Sequence, residues 1–221
     1  MKKILAIFIL LGCLITPSFA GSSYGGPTGL VTIPTAEALK YKEFSLGVDY
    51  LVGTYVEDDD WKYKLNIGTF ENIELGVVGG KTPTEGMYLN IKYYLIADDS
   101  RFPLALAIGA QNLSSKDNTN IYMAASKKLQ QDFGVHFGFK SIFTEDEVKP
   151  VIITGLDFIV DDKLKVISDL DSNGDKYFWN VGAEYFLTQE IAVKTSLIDI
   201  TSSKSDSKTQ YTIGISYNKF L

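Results

Sequence analysis

The sequence predicts an all-β protein: a single antiparallel up-and-down transmembrane β-barrel of about 12 strands, after a cleaved signal peptide. Three observations lead to this fold class. Apolar and polar residues alternate with a period of two from Glu43 to Leu221. The connections between the alternating segments are long and short by turns. The first twenty residues have the composition of a secretory signal.

The alternation is clear in the segment from Trp61 to Thr69. Its apolar positions are Trp61, Tyr63, Leu65 and Ile67, and Lys62, Lys64, Asn66 and Gly68 stand beside them. Successive side chains of a strand face opposite sides of the sheet. A closed sheet of such strands therefore has an apolar outer face that suits lipid and a polar inner face, as in outer-membrane barrels.

Twelve strands are predicted in the barrel region, residues 43–221. They lie at 43–54, 61–69, 72–80, 87–95, 103–113, 121–129, 133–143, 151–160, 164–171, 177–187, 191–200 and 209–220. Every second connection, beginning with 55–60, has five to eight residues. The connections between them have two or three residues, apart from 96–102. This sorting is typical of outer-membrane barrels, which have short periplasmic turns and longer outer loops. An even strand number places both termini in the periplasm.

The N-terminal residues predict export from the cytoplasm. Residues 1–20 combine a basic start, an apolar run and a small-residue cleavage site before Gly21. An alternative is lipidation at Cys13, which stands in a loosely lipoprotein-like context. Cleavage after Ala20 leaves a chain without cysteine and with 19 basic and 27 acidic residues, a net charge of −8. This charge argues against nucleic acid as a partner.

The inward-facing positions carry charges of both signs. The predicted lumen-lining residues, which would border a pore, are Asp49, Lys64, Glu74, Lys92, His136, Lys140, Asp157, Asp169, Glu184 and Lys194. Twelve strands lie between filled eight-stranded barrels and open porins. The sequence leaves two interiors open: a narrow aqueous path, or one that ion pairs hold shut. His136 is the only histidine, and no G-x-S-x-G motif is present, so no catalytic residue is predicted.

One short motif suggests a metal. Asp169, Asp171, Asn173 and Asp175 have the spacing that opens an oxygen-ligand calcium loop. The twelfth position is Asn180 where such a loop has glutamate, and the flanks read as strands. The same residues are ordinary hairpin-turn chemistry. Calcium is therefore a weak candidate, and no other cofactor is predicted.

Residues 21–42 break the alternation and form a leader rich in glycine and proline. Gly26, Thr28-Gly29-Leu30, Pro34-Thr35-Ala36 and Phe44-Ser45-Leu46-Gly47 resemble the opening of the YjbH-like family of exopolysaccharide-associated outer-membrane proteins. The resemblance implies an outer-membrane barrel linked to polysaccharide export, and it supplies no catalytic residues. Two hypotheses remain for the leader: a plug that folds into the barrel lumen, or an unstructured extension.

These observations together predict a non-enzymatic barrel in the outer membrane of a diderm bacterium. It would act as a narrow, porin-like channel or as an accessory to export of envelope polysaccharide. The alternatives are a structural or surface-contact barrel without transport, and an enzyme that modifies lipid or glycan. Expected partners are outer-membrane lipid, polysaccharide or export components, and the barrel-assembly machinery, whose targeting signal the segment from Tyr211 to Leu221 resembles.

Overall fold

The computed structural model describes residues 21–52, 60–81, 86–98, 102–116, 118–201 and 209–221. The predicted signal peptide, including Cys13, lies outside these ranges, as do parts of several predicted outer loops. Within the same ranges, no helix has the length and apolar character needed to cross a bilayer.

The described residues form twelve strands. They are β1 (Glu43–Val52), β2 (Asp60–Phe70), β3 (Ile73–Gly80), β4 (Tyr88–Ile96), β5 (Ala105–Gln111), β6 (Thr119–Gln130), β7 (Phe133–Phe143), β8 (Val148–Asp161), β9 (Leu164–Ser172), β10 (Tyr177–Phe186), β11 (Ile191–Ile198) and β12 (Gln210–Phe220). Each strand pairs with its sequence neighbour, and β1 pairs antiparallel with β12, from Glu43 opposite Phe220 to Val52 opposite Tyr211. The sheet is therefore a closed barrel, and the predicted fold class is confirmed.

The two ends of the barrel differ in their connections. One end, here the short-turn end, carries the two-residue turns 71–72, 131–132 and 162–163. The opposite end, here the long-loop end, carries longer connections such as 112–118 and 199–209. Two connections at this end have only four residues each, because β8 begins at Val148, three residues earlier than predicted, and β10 follows β9 closely. The contrast in length is smaller than the sequence suggested.

The outer face of the barrel is apolar and exposed. Exposed large apolar side chains project from every strand except β9, and Phe137 and Phe139 on β7 are 46% and 48% exposed. Exposed aromatic rings lie near both ends: Trp61, Tyr177, Trp179 and Tyr211 toward the long-loop end, and Phe70, Tyr93, Tyr185 and Phe220 toward the short-turn end. A continuous apolar band between two aromatic rims matches a bilayer and its two interfaces.

Candidate functional site: the lumen and the segment inside it

Most of the segment 21–42 lies inside the barrel, with residues 40–42 exposed where it leads into β1, and we call this segment the lumen plug. Its central apolar side chains, including Leu30, Val31 and Ala36, are almost completely buried. The plug ends beside β2, where the Lys42 amide donates to the carbonyl of Gly68 over 2.9 Å. Between its ends, the plug fills the space that an open pore would require.

The plug is a compact loop that is hydrogen-bonded to itself. The Ser23 amide donates to the Pro27 carbonyl over 2.8 Å, and the Tyr24 amide donates to the Val31 carbonyl over 2.7 Å. Gly26 has a φ of 113°, a backbone conformation that favours glycine. A Cβ at this position would also overlap Val78 on the barrel wall. The glycines of the leader therefore permit both the tight loop and its close approach to the strands.

Glu74 on β3 and Lys92 on β4 are opposite each other in the sheet, and both bind the plug. The Glu74 carboxylate accepts hydrogen bonds from the Thr28 amide over 2.9 Å, the Thr28 hydroxyl over 2.8 Å and the Leu39 amide over 3.0 Å. Lys92 Nζ donates to the carbonyls of Thr28 over 2.6 Å and Glu37 over 2.7 Å, and to Thr28 Oγ1. Both side chains are almost fully buried, so the plug supplies partners that water would otherwise supply.

A second carboxylate, on β9, also binds the plug. Asp169 accepts hydrogen bonds from the Thr32 amide over 2.8 Å, the Thr32 hydroxyl over 3.1 Å and the Ile33 amide over 3.3 Å. Asn180 on β10 donates to Asp169 Oδ1 over 2.7 Å and to Thr32 Oγ1 over 2.9 Å. Asp169 therefore satisfies two backbone amides at a turn of the plug, where the plug itself offers no acceptor to them.

Two lysines and an asparagine bind plug carbonyls. Lys194 Nζ donates to the carbonyl of Leu30 over 2.6 Å and to that of Ser22 over 3.2 Å. Lys64 Nζ donates to the Ser23 carbonyl over 3.0 Å, and Asn66 Nδ2 donates to the Gly26 carbonyl over 2.7 Å. The wall thus offers cations and an amide donor to four carbonyl oxygen atoms of the plug.

Part of the lumen is apolar, contrary to the uniformly polar interior that the alternation suggested. Leu30, Val31 and Ile33 of the plug form one buried cluster with five inward-facing residues of the wall: Ile142, Val151, Ile153, Ile167 and Ile198. These wall residues occupy inward positions of β7, β8, β9 and β11. An apolar wall is stable there because the plug covers it with apolar side chains and excludes water.

All ten predicted lumen-lining residues project inward. Half of them bind the plug directly: Lys64, Glu74, Lys92, Asp169 and Lys194. The others contact charged neighbours on the wall. Asp49 pairs with Lys64 at 2.5 Å, Lys140 with Asp171 at 2.5 Å, and Glu184 with Lys194 at 3.4 Å. The interior therefore contains ion pairs, and the plug fills the space between them.

The four calcium-candidate residues do not converge. Asp169 is occupied by the plug, and Asp171 pairs with Lys140. Asn173 accepts hydrogen bonds from the backbone amides that follow it, as in an ordinary turn, and Asp175 is exposed and pairs with Lys149. Within the described ranges, no three His, Cys, Asp or Glu side chains form a group suited to a metal ion. The spacing reflects a hairpin, because side chains two apart on β9 point into the lumen and the later pair lies in the turn.

Ser126, His136 and Asp157 form a hydrogen-bonded chain across β6, β7 and β8. Ser126 Oγ lies 2.8 Å from His136 Nδ1, and His136 Nε2 lies 2.6 Å from Asp157 Oδ1. The Ala36 amide of the plug donates to Ser126 Oγ over 2.9 Å. A hydrolase triad needs its serine open to a substrate carbonyl. Here the plug covers the serine, so the arrangement is a structural link between wall and plug.

Ser126 and Asn180 were not among the predicted lumen residues. Both face inward. Ser126 is two residues from the inward-facing Ala124 on β6, and Asn180 is two residues from the inward-facing Gly182 on β10. The alternation alone was therefore sufficient to place them inside. Their role was not visible because it depends on which plug atoms they meet.

A cavity of about 830 Å³ opens at the short-turn end, below the plug. Its lining includes Glu37 and Lys40 of the plug together with Lys128, Asp157 and Lys165 of the wall. Its lining includes both acidic and basic groups. We call it the mouth cavity, and it brings solvent to the Asp157 end of the serine–histidine–aspartate chain.

Tyr24 ties the plug to β2 through its aromatic ring. Lys62 Nζ lies 3.8 Å from the ring centroid, and burial raises the pKa of the Tyr24 hydroxyl. We expect Tyr24→Leu to weaken the seating of the plug by about 1–2 kcal/mol, because leucine keeps the apolar packing and removes the cation–π contact. Protease resistance of the plug in the folded barrel measures this effect, with Tyr24→Phe as the matched control that retains the ring. Equal loss of resistance in both variants would contradict it.

Comparison with solved structures agrees with this architecture. The NanC porin superposes with a TM-score of 0.54 at 11% identity, over 80% of this chain and 99% of that one. The chain has a porin-like fold. Omp33, an outer-membrane protein of Acinetobacter baumannii, gives 0.47 at 14% identity over 84% and 100% of the two chains. A mutant of the Rh. blastica porin gives 0.43 at 12% over 72% and 55%.

These identities establish the fold alone. No protein-family model matches the sequence, and no curated protein matches it. The lumen and the plug of this chain are therefore the basis for inferring its function.

Proposed function

We propose that the chain is a non-enzymatic channel of the bacterial outer membrane that the lumen plug holds closed. The observation that carries the proposal is the combination of an exposed apolar outer face with a charged interior whose pore space the plug occupies. Conduction then requires the plug to leave at least part of the lumen. The short-turn end, where the plug joins β1, faces the periplasm.

Polar contacts favour a plug that can move. Glu74, Lys92 and Asp169 bind it through hydrogen bonds that water can replace once the plug shifts. The interior charges also pair with one another, as Asp49 does with Lys64, so the lumen retains partners when the plug is displaced. Such a lumen suits the passage of hydrated polar solutes.

A structural barrel without transport is the second candidate, and the apolar cluster around Leu30 favours it. Displacing the plug exposes Ile153 and Ile167 to water, which opposes opening. The two candidates differ in whether the open state is ever reached under native conditions.

Single-channel recording from the purified full chain in planar bilayers tests the proposal. We expect a barrel that is closed most of the time, with brief openings of uniform size. Complete silence under every applied voltage, both in the native chain and in variants with a loosened plug, would contradict transport and support the structural barrel. Heat-modifiable migration in detergent gels is the control that the protein has folded as a barrel.

The sequence of the plug suggests a more specific role, in polysaccharide export. The residues that resemble the YjbH-like family include Thr28, Leu30 and Ala36, which hold the plug against the wall. We therefore propose that this barrel serves export of an envelope polysaccharide. Loss of secreted polysaccharide on deleting the gene, restored by the native chain, tests the link, and unchanged secretion would remove it.

A further inference from the structure

The contacts of Ser126 Oγ connect the only histidine of the chain to the backbone of the plug. His136 lies between Ser126 and Asp157, and all three side chains are buried. Beyond Ser126, the Ala36 amide completes the series. A titratable group thus lies two hydrogen bonds away from a segment that must move for the channel to open.

When His136 is neutral, every hydrogen-bond donor in this series has an acceptor. Nε2–H donates to the Asp157 carboxylate, which leaves Nδ1 as an acceptor for the Ser126 hydroxyl. Ser126 Oγ keeps a lone pair for the Ala36 amide. Each of the four groups is satisfied, and this pattern assigns the Nε2–H tautomer.

Protonation of His136 leaves one donor of the series without an acceptor. Both ring nitrogens of the imidazolium are donors. Nδ1–H then points at Ser126 Oγ, and the serine proton loses its acceptor. In the described part of the chain, Ser126 Oγ has only His136 and Ala36 as partners. A buried hydroxyl without an acceptor is destabilised, and displacement of the plug relieves it by admitting water.

Protons have a route to the site. Asp157 lines the mouth cavity together with Lys165, Lys128 and Glu37. Lys165 Nζ on β9 lies 3.8 Å from Asp157 Oδ2. On the far side, Glu184 of β10 stands opposite Lys165 in the sheet.

The charges that face the site from β6, β8, β9, β10 and the plug are therefore mixed in sign. Asp157 is the nearest of them, with its Oδ1 atom 2.6 Å from His136 Nε2.

We propose that the Ser126–His136–Asp157 chain is a proton-sensitive latch, which holds the plug at Ala36 while His136 is neutral and loosens it when His136 is protonated. The inference rests on the proposed function, in which the plug leaves the lumen. All donors in the series have acceptors only while His136 is neutral, so acid lowers the stability of the seated plug.

Cysteine labelling tests the latch. Thr35→Cys places a nearly isosteric reporter on the plug, at a buried position whose hydroxyl has no hydrogen-bond partner among the described residues. Cys13→Ser removes the native cysteine from the full chain. The rate of maleimide labelling reports the fraction of barrels with a displaced plug. Because thiol ionisation also depends on pH, each rate is divided by that of the same reporter chain carrying His136→Gln.

We expect this ratio to rise about tenfold from about pH 8 to about pH 5, the range in which histidine titrates. When the Ser126→Ala variant replaces the native chain in this ratio, we expect no change with pH. That variant retains His136 but lacks the hydroxyl that links it to the plug. A flat ratio for the native chain, with measurable labelling, overturns the latch and leaves the channel intact. No labelling of any variant until the barrel is unfolded overturns the mobile plug, and with it both proposals.

Discussion

Replacing Asp169 with alanine is expected to raise the open probability of the reconstituted barrel by about 10- to 100-fold. The carboxylate accepts the amides of Thr32 and Ile33, and its removal leaves these buried donors without an acceptor. A buried unsatisfied donor costs about 1–3 kcal/mol, which matches this range in the ratio of closed to open barrels. The cost falls on the seated plug alone, because water satisfies both amides once the plug is displaced. Single-channel recording gives the open probability directly.

Asp146→Ala is the matched control for charge. Asp146 lies in the exposed connection between β7 and β8, so its loss changes the net charge equally without touching the plug. We expect no change in open probability for this variant. An Asp169→Ala barrel that folds normally and conducts no more than the control would show that this carboxylate does not hold the channel closed.

Phe137→Lys is expected to destabilise the folded barrel by about 2–4 kcal/mol. Phe137 lies near the middle of β7 on the outer face, where it is 46% exposed and packs edge-on against Phe139 at 5.1 Å between ring centroids. A lysine there places a charge where the bilayer is driest. Reversible unfolding in urea, in the presence of lipid vesicles, measures the loss of free energy.

Phe137→Leu separates this effect from the loss of aromatic packing, since leucine remains apolar. We expect it to cost much less than lysine. Glu145→Lys adds a lysine in the exposed connection after β7 and should be tolerated. Equal stability of the Phe137→Lys and Phe137→Leu barrels would mean that the face carrying Phe137 is in water.

The alternation predicted the two faces of the sheet correctly because it depends on backbone geometry alone. On β7, Phe137 and Phe139 point outward, and His136 and Lys140 point inward, as the period of two requires. The number of strands followed in the same way. Strand ends were less certain, since hydrogen bonding across a hairpin can extend a strand through a residue such as Pro150, which lies opposite Ser141.

The plug contacts were beyond the sequence, because they join residues far apart in the chain. Thr32 and Asp169 are 137 positions apart, and nothing local to either indicates the other. The apolar inner wall was missed for a related reason. Ile153 and Ile167 break the expected polar pattern only because Leu30 of the plug covers them. Glycines and prolines indicated an irregular leader, but they did not indicate its place.

The account depends on contact between the outer face of the barrel and lipid, and the two tryptophans of the chain report on it directly. Trp61 and Trp179 are about half exposed on that face, in the aromatic rim at the long-loop end. Fluorescence of the native barrel should be strongly quenched by lipids brominated near the headgroup, and less by lipids brominated at the chain ends. If brominated lipids of neither kind quench the tryptophan fluorescence, these side chains do not contact a bilayer. That result would contradict the membrane-spanning barrel.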